Sequence, residues 1–131
     1  AYVRPFKERA AYSWAVETSI YVDENVKHKG VGRKLHEALE TVLKEQGILN
    51  MEACIGYPEE EDGYLDKNSA RFHAHMGYRM VGEFKKCGYK FDRWYNMVWM
   101  EHIIGEHQTH MAYPESFPQI RDRLKEKYGL E

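Results

Sequence analysis

The stretch from Trp14 to Gln46 constrains the fold more than any other part of the 131-residue chain. Apolar and β-branched side chains alternate between Trp14 and Val22, which is the period-2 pattern of a β-strand. From Val31 the spacing changes to that of one face of an α-helix, which Gly47 is placed to end. The sequence therefore predicts a strand, a glycine-containing turn and a helix in succession.

The turn before this helix has the features of a phosphate-binding site. The first-turn amides of a helix lack intrahelical acceptors and carry the positive end of the helix dipole. Gly30 and Gly32 remove the Cβ atoms that would hold a ligand away from this backbone. Positive charge surrounds it at Lys27, Lys29, Arg33 and Lys34. We interpret the stretch as a pyrophosphate cradle; for an isolated Gly-x-Gly, a surface helix with solvated lysines is the alternative.

Two common phosphate-binding motifs do not match this turn. The chain contains no Gly-x-x-x-x-Gly-Lys-Ser/Thr string. A dinucleotide fingerprint needs a third glycine where Leu35 stands, although Glu52 lies at about the distance expected of its ribose-binding acid. A third pattern, Gln/Arg-x-x-Gly-x-Gly/Ala after a strand, is similar to the segment from Lys27 to Gly32. The GNAT superfamily of N-acetyltransferases uses that pattern for the pyrophosphate of acetyl-CoA.

Composition indicates one globular domain with no bias towards nucleic acid or membranes. The net charge is -2, which gives no general attraction to either anionic partner. No apolar run approaches the roughly 20 residues of a membrane span, and we expect no signal peptide. Cys54 and Cys87 show neither a Cys-x-x-Cys spacing nor a disulfide framework, so we expect reduced thiols in a cytoplasmic protein.

The remaining periodicity predicts strands that alternate with short helices. A strand end and an exposed loop open the chain. The predicted elements are a strand at Tyr12–Val22, the cradle helix, a strand at Ile48–Ile55, a helix capped within Asp66–Ser69, a strand at Tyr78–Phe84, a turn at Lys85–Tyr89, a strand at Phe91–Ile104 and a helix from Gln119.

Four separated strings resemble the phosphinothricin N-acetyltransferase branch of the GNAT superfamily, whose members acetylate the amine of an amino acid or a close analogue. The strings are Tyr12–Glu17, Ser19–Val22, Asn68-Ser69 before Phe72-His73, and Gly88–Trp94. The resemblance covers about residues 2–100. It implies an α/β GNAT fold with a mixed, mostly antiparallel sheet flanked by helices. Residues 1–104 would be the C-terminal portion of that fold and residues 105–131 an extension, within a single domain 1–131.

Family members carry two strands and a helical segment before the strand at Tyr12, and those helices form one wall of the acceptor site. The resemblance therefore implies that the N-terminal strands and helices are missing here. We expect the sequence to be a fragment of a longer protein. A partner that supplies the wall, or a degenerate form of the fold, are the alternatives.

The resemblance also implies acetyl-CoA as the acetyl donor and assigns residues to it. Backbone groups of Ile20, Tyr21 and Val22 would hydrogen-bond the pantetheine arm like an added strand. The pyrophosphate would lie against the segment formed by Lys27, His28, Lys29, Gly30, Val31, Gly32 and Arg33. On the other side of the cofactor, the contacts would come from Asp66 and Ser69, with His73 behind them.

By the same resemblance, Glu17 matches the acid often proposed as the general base of this family. An amino acid's ammonium group must lose a proton before its nitrogen attacks the thioester, and a partly buried carboxylate can accept that proton. Attack would be direct, without an acyl-enzyme, so neither cysteine is needed. A structural, hydrogen-bonding carboxylate is the alternative for Glu17.

The acceptor site has candidates in the loop before the strand and near the end of the match. The carboxylate or phosphinate of the substrate needs a cation, for which Arg9 and Lys7 are available, although a solvated loop is the better interpretation of Lys7. Tyr12, Phe91 and Trp94 could line the amine pocket, or could lie in the core or in a dimer interface. Family members pair as dimers through this region, so the resemblance implies a homodimer.

Together these patterns predict an acetyl-CoA-dependent N-acetyltransferase that acts on amino-acid analogues of the phosphinothricin or methionine sulfoximine type. A non-enzymatic CoA-binding or assembly module is the alternative, favoured by the missing N-terminal wall and opposed by the intact cradle. A metal site is not expected. His73-x-His75 does not place two ligands on one helical face, and His107 and His110 lie in an unpatterned stretch.

Overall fold

The computed structural model of the protein describes residues 2–19, 30–60 and 67–129. Their strands form one mixed five-stranded sheet in the order β1-β2-β3-β5-β4, which is the predicted α/β class. The elements are β1 Tyr2–Pro5, a 3-10 turn Ala10–Tyr12, β2 Ala15–Ser19, α1 Val31–Gln46, β3 Asn50–Tyr57, α2 Asn68–His75, β4 Arg79–Lys90, β5 Arg93–Ile103 and α3 Phe117–Tyr128.

Two compact units make up the chain, one of Ala1–Met51 with Ile103–Glu131 and one of Glu52–His102. The expectation of a single domain stays a prediction. No helix in the part of the chain that the structure describes is long and apolar enough to cross a membrane.

The first unit is built on α1, the predicted cradle helix. Its start at Val31 and its end before Gly47 are confirmed, and Gly47 adopts a left-handed φ of 90° that lets the chain leave the helix. The predicted C-terminal amphipathic helix is also confirmed as α3, which packs against α1. Leu43, Ile120 and Leu124 are almost completely buried, so the extension contributes to the core of this unit.

Trp14 joins three segments of the first unit. Its carbonyl oxygen accepts hydrogen bonds from the backbone N–H groups of Leu49 and Asn50, at 2.9 and 3.1 Å. The indole N–H donates to the carbonyl oxygen of Ala112 at 3.0 Å, and the indole ring stacks on Tyr113 with centroids 5.0 Å apart. One residue therefore fixes the entry to β2, the start of β3 and the extension.

The predicted start of the strand at Tyr12–Val22 was wrong. Ala10–Tyr12 form a 3-10 turn, closed by a hydrogen bond from the N–H of Tyr12 to the carbonyl of Arg9 at 3.0 Å, and β2 begins only at Ala15. A further strand, β1, precedes it and pairs antiparallel with it, with Tyr2 opposite Ser19. Alternation of aromatic and apolar residues does not distinguish a tight turn from a strand over so few residues.

In the second unit, the predicted turn at Lys85–Tyr89 was also wrong, because β4 continues to Lys90. The chain reverses at Phe91 and Asp92, whose φ angles are 54° and 59°, between the paired residues Lys90 and Arg93. Two positive φ values are what a two-residue type I′ hairpin requires. Neither residue is a glycine, so this turn has only a weak signature in the sequence.

A bulge replaces the turn that the sequence predicted. Phe84 lies opposite Met97 and Gly88 opposite Tyr95, so four steps along β4 match two along β5. The buried Asn96 accepts a hydrogen bond from the backbone N–H of Lys86 at 2.7 Å, where Lys86 has a φ of 48°. A side chain ten residues away therefore satisfies the backbone group that the bulge removes from the ladder.

The predicted start of α2, within Asp66–Ser69, is confirmed. Helix α2 begins at Asn68, and its N-cap position is Lys67, which caps no backbone N–H with its side chain. Asp66, part of the predicted cap, lies outside the described residues.

Four polar side chains tie α3 to the end of α1. Glu45 Oε2 accepts a hydrogen bond from Arg123 Nε at 3.0 Å, and Glu45 Oε1 accepts from Lys127 Nζ at 3.1 Å and from the hydroxyl of Tyr128 at 3.3 Å. The hydrogen bond from Lys127, followed by the nearby positive charges, holds the pKa of Glu45 below its ordinary value of 4.5. Ionised Glu45 is therefore favoured in the folded state.

We expect Glu45→Gln to lower the melting temperature most at neutral pH. A carboxylate whose pKa is depressed by folding contributes stability above its unfolded pKa and loses that contribution as pH falls through its folded pKa. The difference between parent and variant should shrink as pH drops below about 4.5. Thermal unfolding followed by circular dichroism from pH 7 to pH 3 measures it. Glu126→Gln, at an exposed position of α3, is the matched control and should change little; a gap that widens in acid would contradict the prediction.

Candidate active site

In the first unit, helix α1 presents an uncapped N-terminus. Its N-cap is Gly30, with φ at 77°, and no side chain within the described ranges caps it. The first intrahelical hydrogen bond runs from the N–H of Lys34 to the carbonyl of Gly30 at 3.1 Å, so the amides of Val31, Gly32 and Arg33 have no intrahelical acceptor. The first turn contains no acid, which leaves its positive dipole uncompensated.

No described atom lies within 4 Å of the position that a Cβ atom on Gly30 would take. Arg33 is two-thirds exposed and pairs with Glu37 at 3.5 Å, a surface ion pair too weak to hold it against a competing phosphate. Backbone donors and a positive charge are therefore available at this helix end for an anionic group such as a phosphate.

The other half of the predicted cradle falls outside the described residues. It comprises Ile20, Tyr21, Val22, Lys27, His28 and Lys29. Their assignment to the pantetheine and pyrophosphate stays a prediction.

Glu17 lies on β2, and its side chain is only 14% exposed. Directly opposite it on β1 is Arg4, whose Nε donates to Glu17 Oε2. This ion pair holds the Glu17 carboxyl group in place on the strand. Arg4 was not predicted as a site residue. Its contact with Glu17 depends on the register of two antiparallel strands, which the sequence alone does not determine.

Arg9 and Lys7 lie together at a cleft of about 530 Å³ in the first unit, to which Arg4 also contributes. Buried Val16, Leu43 and Ile48 also line the cleft. Since the cationic side chains outnumber the single acid, Glu8, the cleft favours a ligand with an anionic group and an apolar part. Tyr12 lines a separate cleft of about 320 Å³, so the structure does not bring it together with Arg9.

In the second unit, Ser69 and His73 lie one turn apart on α2. The imidazole Nδ1 of His73 donates to the carbonyl oxygen of Ser69 at 2.7 Å. Burial lowers the pKa of His73, because a charged ring would lose its hydration there. His73 is therefore a neutral imidazole at pH 7. Its Nε2 is buried with no hydrogen-bond partner among the described residues.

Phe91 and Trp94 lie at the end of the β4–β5 hairpin, and both side chains are at least half exposed. Trp94 packs on Tyr89 with ring centroids 4.9 Å apart, and Lys90 Nζ lies 5.0 Å from the centre of the Phe91 ring. Their assignment to an acceptor pocket stays a prediction.

Among residues 2–19, 30–60 and 67–129, no three His, Cys, Asp or Glu side chains lie close enough together to hold a metal ion.

A family model described as an acetyltransferase (GNAT) domain matches residues 1–99. The chain belongs to the GNAT acetyltransferase family. This membership confirms the predicted superfamily and fold. Within the GNAT family, the chain is 33% identical over 97 residues to a phosphinothricin N-acetyltransferase of Streptomyces coelicolor, covering 74% of this chain and 53% of that protein. It is 32% identical over 98 residues to an L-methionine sulfoximine/L-methionine sulfone acetyltransferase of Pseudomonas aeruginosa, covering 75% and 51%.

Solved GNAT structures agree with this assignment. A phosphinothricin acetyltransferase from Sinorhizobium meliloti, in complex with acetyl-CoA, superposes with a TM-score of 0.70 at 29% identity. The match covers 87% of this chain and 57% of that one. The GNAT chain described here thus spans about half the length of the relatives it matches.

Gly30→Ala and Gly32→Ala should change stability in opposite directions. The backbone at Gly30 is left-handed, so a residue with a Cβ there should lower the free energy of unfolding by about 1–2 kcal/mol. Gly32 lies inside α1, where alanine should raise the free energy of unfolding by about 0.5–1 kcal/mol. Urea unfolding of the two variants beside the parent measures both free energies. Equal effects of the same sign would show that the backbone at Gly30 is not left-handed.

Proposed function

We propose that this chain transfers an acetyl group from acetyl-CoA to the primary amine of an amino acid or an amino-acid analogue. The observation that carries the proposal is the N-terminus of α1, which no described side chain caps. Its N-cap Gly30 has a positive φ, and its first turn contains no acid. Helix ends of this kind bind phosphate through backbone donors and the helix dipole. Acetyl-CoA supplies the activated acetyl group as a thioester when it is bound.

Backbone amides at Val31, Gly32 and Arg33 would bind and orient the pyrophosphate, and the guanidinium of Arg33 would add charge to the same contact. The assignment of Ser69 and His73 to the cofactor stays a prediction.

Glu17 would accept the proton that the substrate's ammonium group must lose. Arg4 keeps this carboxylate in place on the strand, since the two residues are cross-strand neighbours. The amine nitrogen would then form a bond to the acetyl carbon as the carbon–sulfur bond breaks, and the proton that this nitrogen loses would go to the departing sulfur, so that CoA leaves as the thiol.

The cleft that Arg9 and Lys7 line supports a substrate that carries an anionic group beside its amine. Arg9 and Lys7 would bind a carboxylate or phosphinate at this cleft, which buried apolar residues also line. Related enzymes are named for phosphinothricin and for methionine sulfoximine, both of which are such compounds. Tyr12, Phe91 and Trp94 as pocket residues, a homodimer and a cytoplasmic location stay predictions.

Gly32→Asp should abolish binding of acetyl-CoA. A carboxylate in the first turn of α1 would repel the pyrophosphate and neutralise the dipole. Calorimetric titration of parent and variant with acetyl-CoA measures the loss. Gly82→Asp adds the same charge on β4, where the backbone is not left-handed and a Cβ meets no described atom within 4 Å, and should bind like the parent. Undiminished binding by Gly32→Asp would refute the cradle.

Glu17→Gln should lower kcat about 100- to 10,000-fold and leave acetyl-CoA binding unchanged, because the amide cannot accept the proton. Thiol release from acetyl-CoA with phosphinothricin, L-methionine sulfoximine and L-methionine sulfone measures turnover, and Glu126→Gln is the control. Full activity in Glu17→Gln would assign the residue a structural role. Acetyl-CoA binding by the parent without any turnover would instead favour the CoA-binding assembly module.

A further inference from the structure

A cleft of about 320 Å³ lies in the first unit beside the segment 107–111, beyond the residues that match the GNAT family. One side is formed by the entry to β2, including Tyr12 and Trp14. The opposite side is formed by the extension, including His107 and Met111. Its volume is at the lower end of that found for small-molecule sites.

The apolar part of the cleft suits a flat ring. Tyr12, which is 47% exposed, and the indole of Trp14 provide aromatic surface. Buried Leu49 and the flexible thioether of Met111 complete the apolar lining. Aromatic rings pack well on each other and on sulfur, so an aromatic ligand gains more here than an aliphatic one.

The polar part of the cleft offers a hydrogen-bond donor. Nε2 of His107 lies 2.7 Å from Oδ1 of Asn50. Because that oxygen can only accept, Nε2 carries the proton of this hydrogen bond. The amide NH₂ of Asn50 is a donor that this hydrogen bond does not use. The carbonyl oxygen of a carboxamide on the ligand can accept from it.

Among the described residues that line the cleft, none is Asp, Glu, Lys or Arg. One lining residue, Gln108, donates through its amide to Oε2 of Glu106 at 3.3 Å, so the charge beside the cleft is negative. An anionic ligand would therefore lose hydration without gaining a counter-charge, whereas an uncharged one would not. The absence of charged lining residues distinguishes this cleft from the one that Arg9 and Lys7 line.

We propose that the cleft between Tyr12 and the segment 107–111 is a binding site for an uncharged aromatic carboxamide. The proposal does not depend on acetyl transfer, since the site is built partly from the extension and is tested by binding alone.

Benzamide and benzoate, which have nearly the same shape, are the probes. We expect benzamide to shift the side-chain amide signals of Asn50 and Gln108 and the methyl signal of Met111 saturably in NMR titrations of the full chain at neutral pH. Benzoate should bind at least about tenfold more weakly. Absence of saturable shifts, or equal affinity for the two probes, would overturn the proposal.

Two variants fill the cleft from opposite sides, Met111→Trp and Ala11→Trp. Each should abolish the benzamide shifts of Asn50 and Gln108. Thr109→Trp introduces the same side chain into the same segment at an exposed position outside the lining, and should bind like the parent. Folding of each variant is checked by thermal unfolding. Normal benzamide binding by either folded filling variant would place the probe elsewhere and overturn the assignment.

Discussion

The first unit depends on the backbone and side chain of Trp14. A carbonyl that accepts two N–H groups, those of Leu49 and Asn50, ties the entry of one strand to the start of another. The same residue reaches the extension through its indole N–H and its stack on Tyr113. Ala15, the next residue, lines both the cleft of about 530 Å³ and the cleft of about 320 Å³. The contacts of Trp14 fix the position of Ala15 and therefore influence the shape of both clefts.

Helix α1 is secured at one end and open at the other. At its C-terminal end the last carbonyls have partners: the carbonyl of Gln46 accepts a hydrogen bond from the N–H of Glu115 at 2.8 Å, and the carbonyl of Glu45 accepts one from the guanidinium of Arg123 at 2.9 Å. At its N-terminal end the first amides lack intrahelical acceptors. A phosphate bound there would meet a helix whose position is already fixed, which reduces the ordering cost of binding.

Much of the fold could be predicted from the sequence, because its strongest patterns are local. The 3.6-residue period of α1 and the glycine that ends it depend on residues within one element. The hairpin turn could not be predicted, since Phe91 and Asp92 adopt positive φ values without a glycine, and neither could the bulge, since it depends on Asn96 ten residues away. Glu17 was found, but its partner Arg4 was not, because their contact is a matter of strand register. The cleft residues of the extension were missed because their segment has no periodicity and its contacts, such as that of His107 with Asn50, join residues far apart in the sequence.

The bulge held by Asn96 has a consequence for the evolution of the hairpin. It adds two residues to β4, and an even number preserves the alternation of faces along a strand. The side chains beyond it, including Tyr89, therefore keep the side of the sheet that they would have in a regular ladder. An insertion or deletion of two residues at this point would keep that alternation, and the one-residue shift between Met80 and Gly82 shows that β4 also accommodates a single extra residue as a bulge.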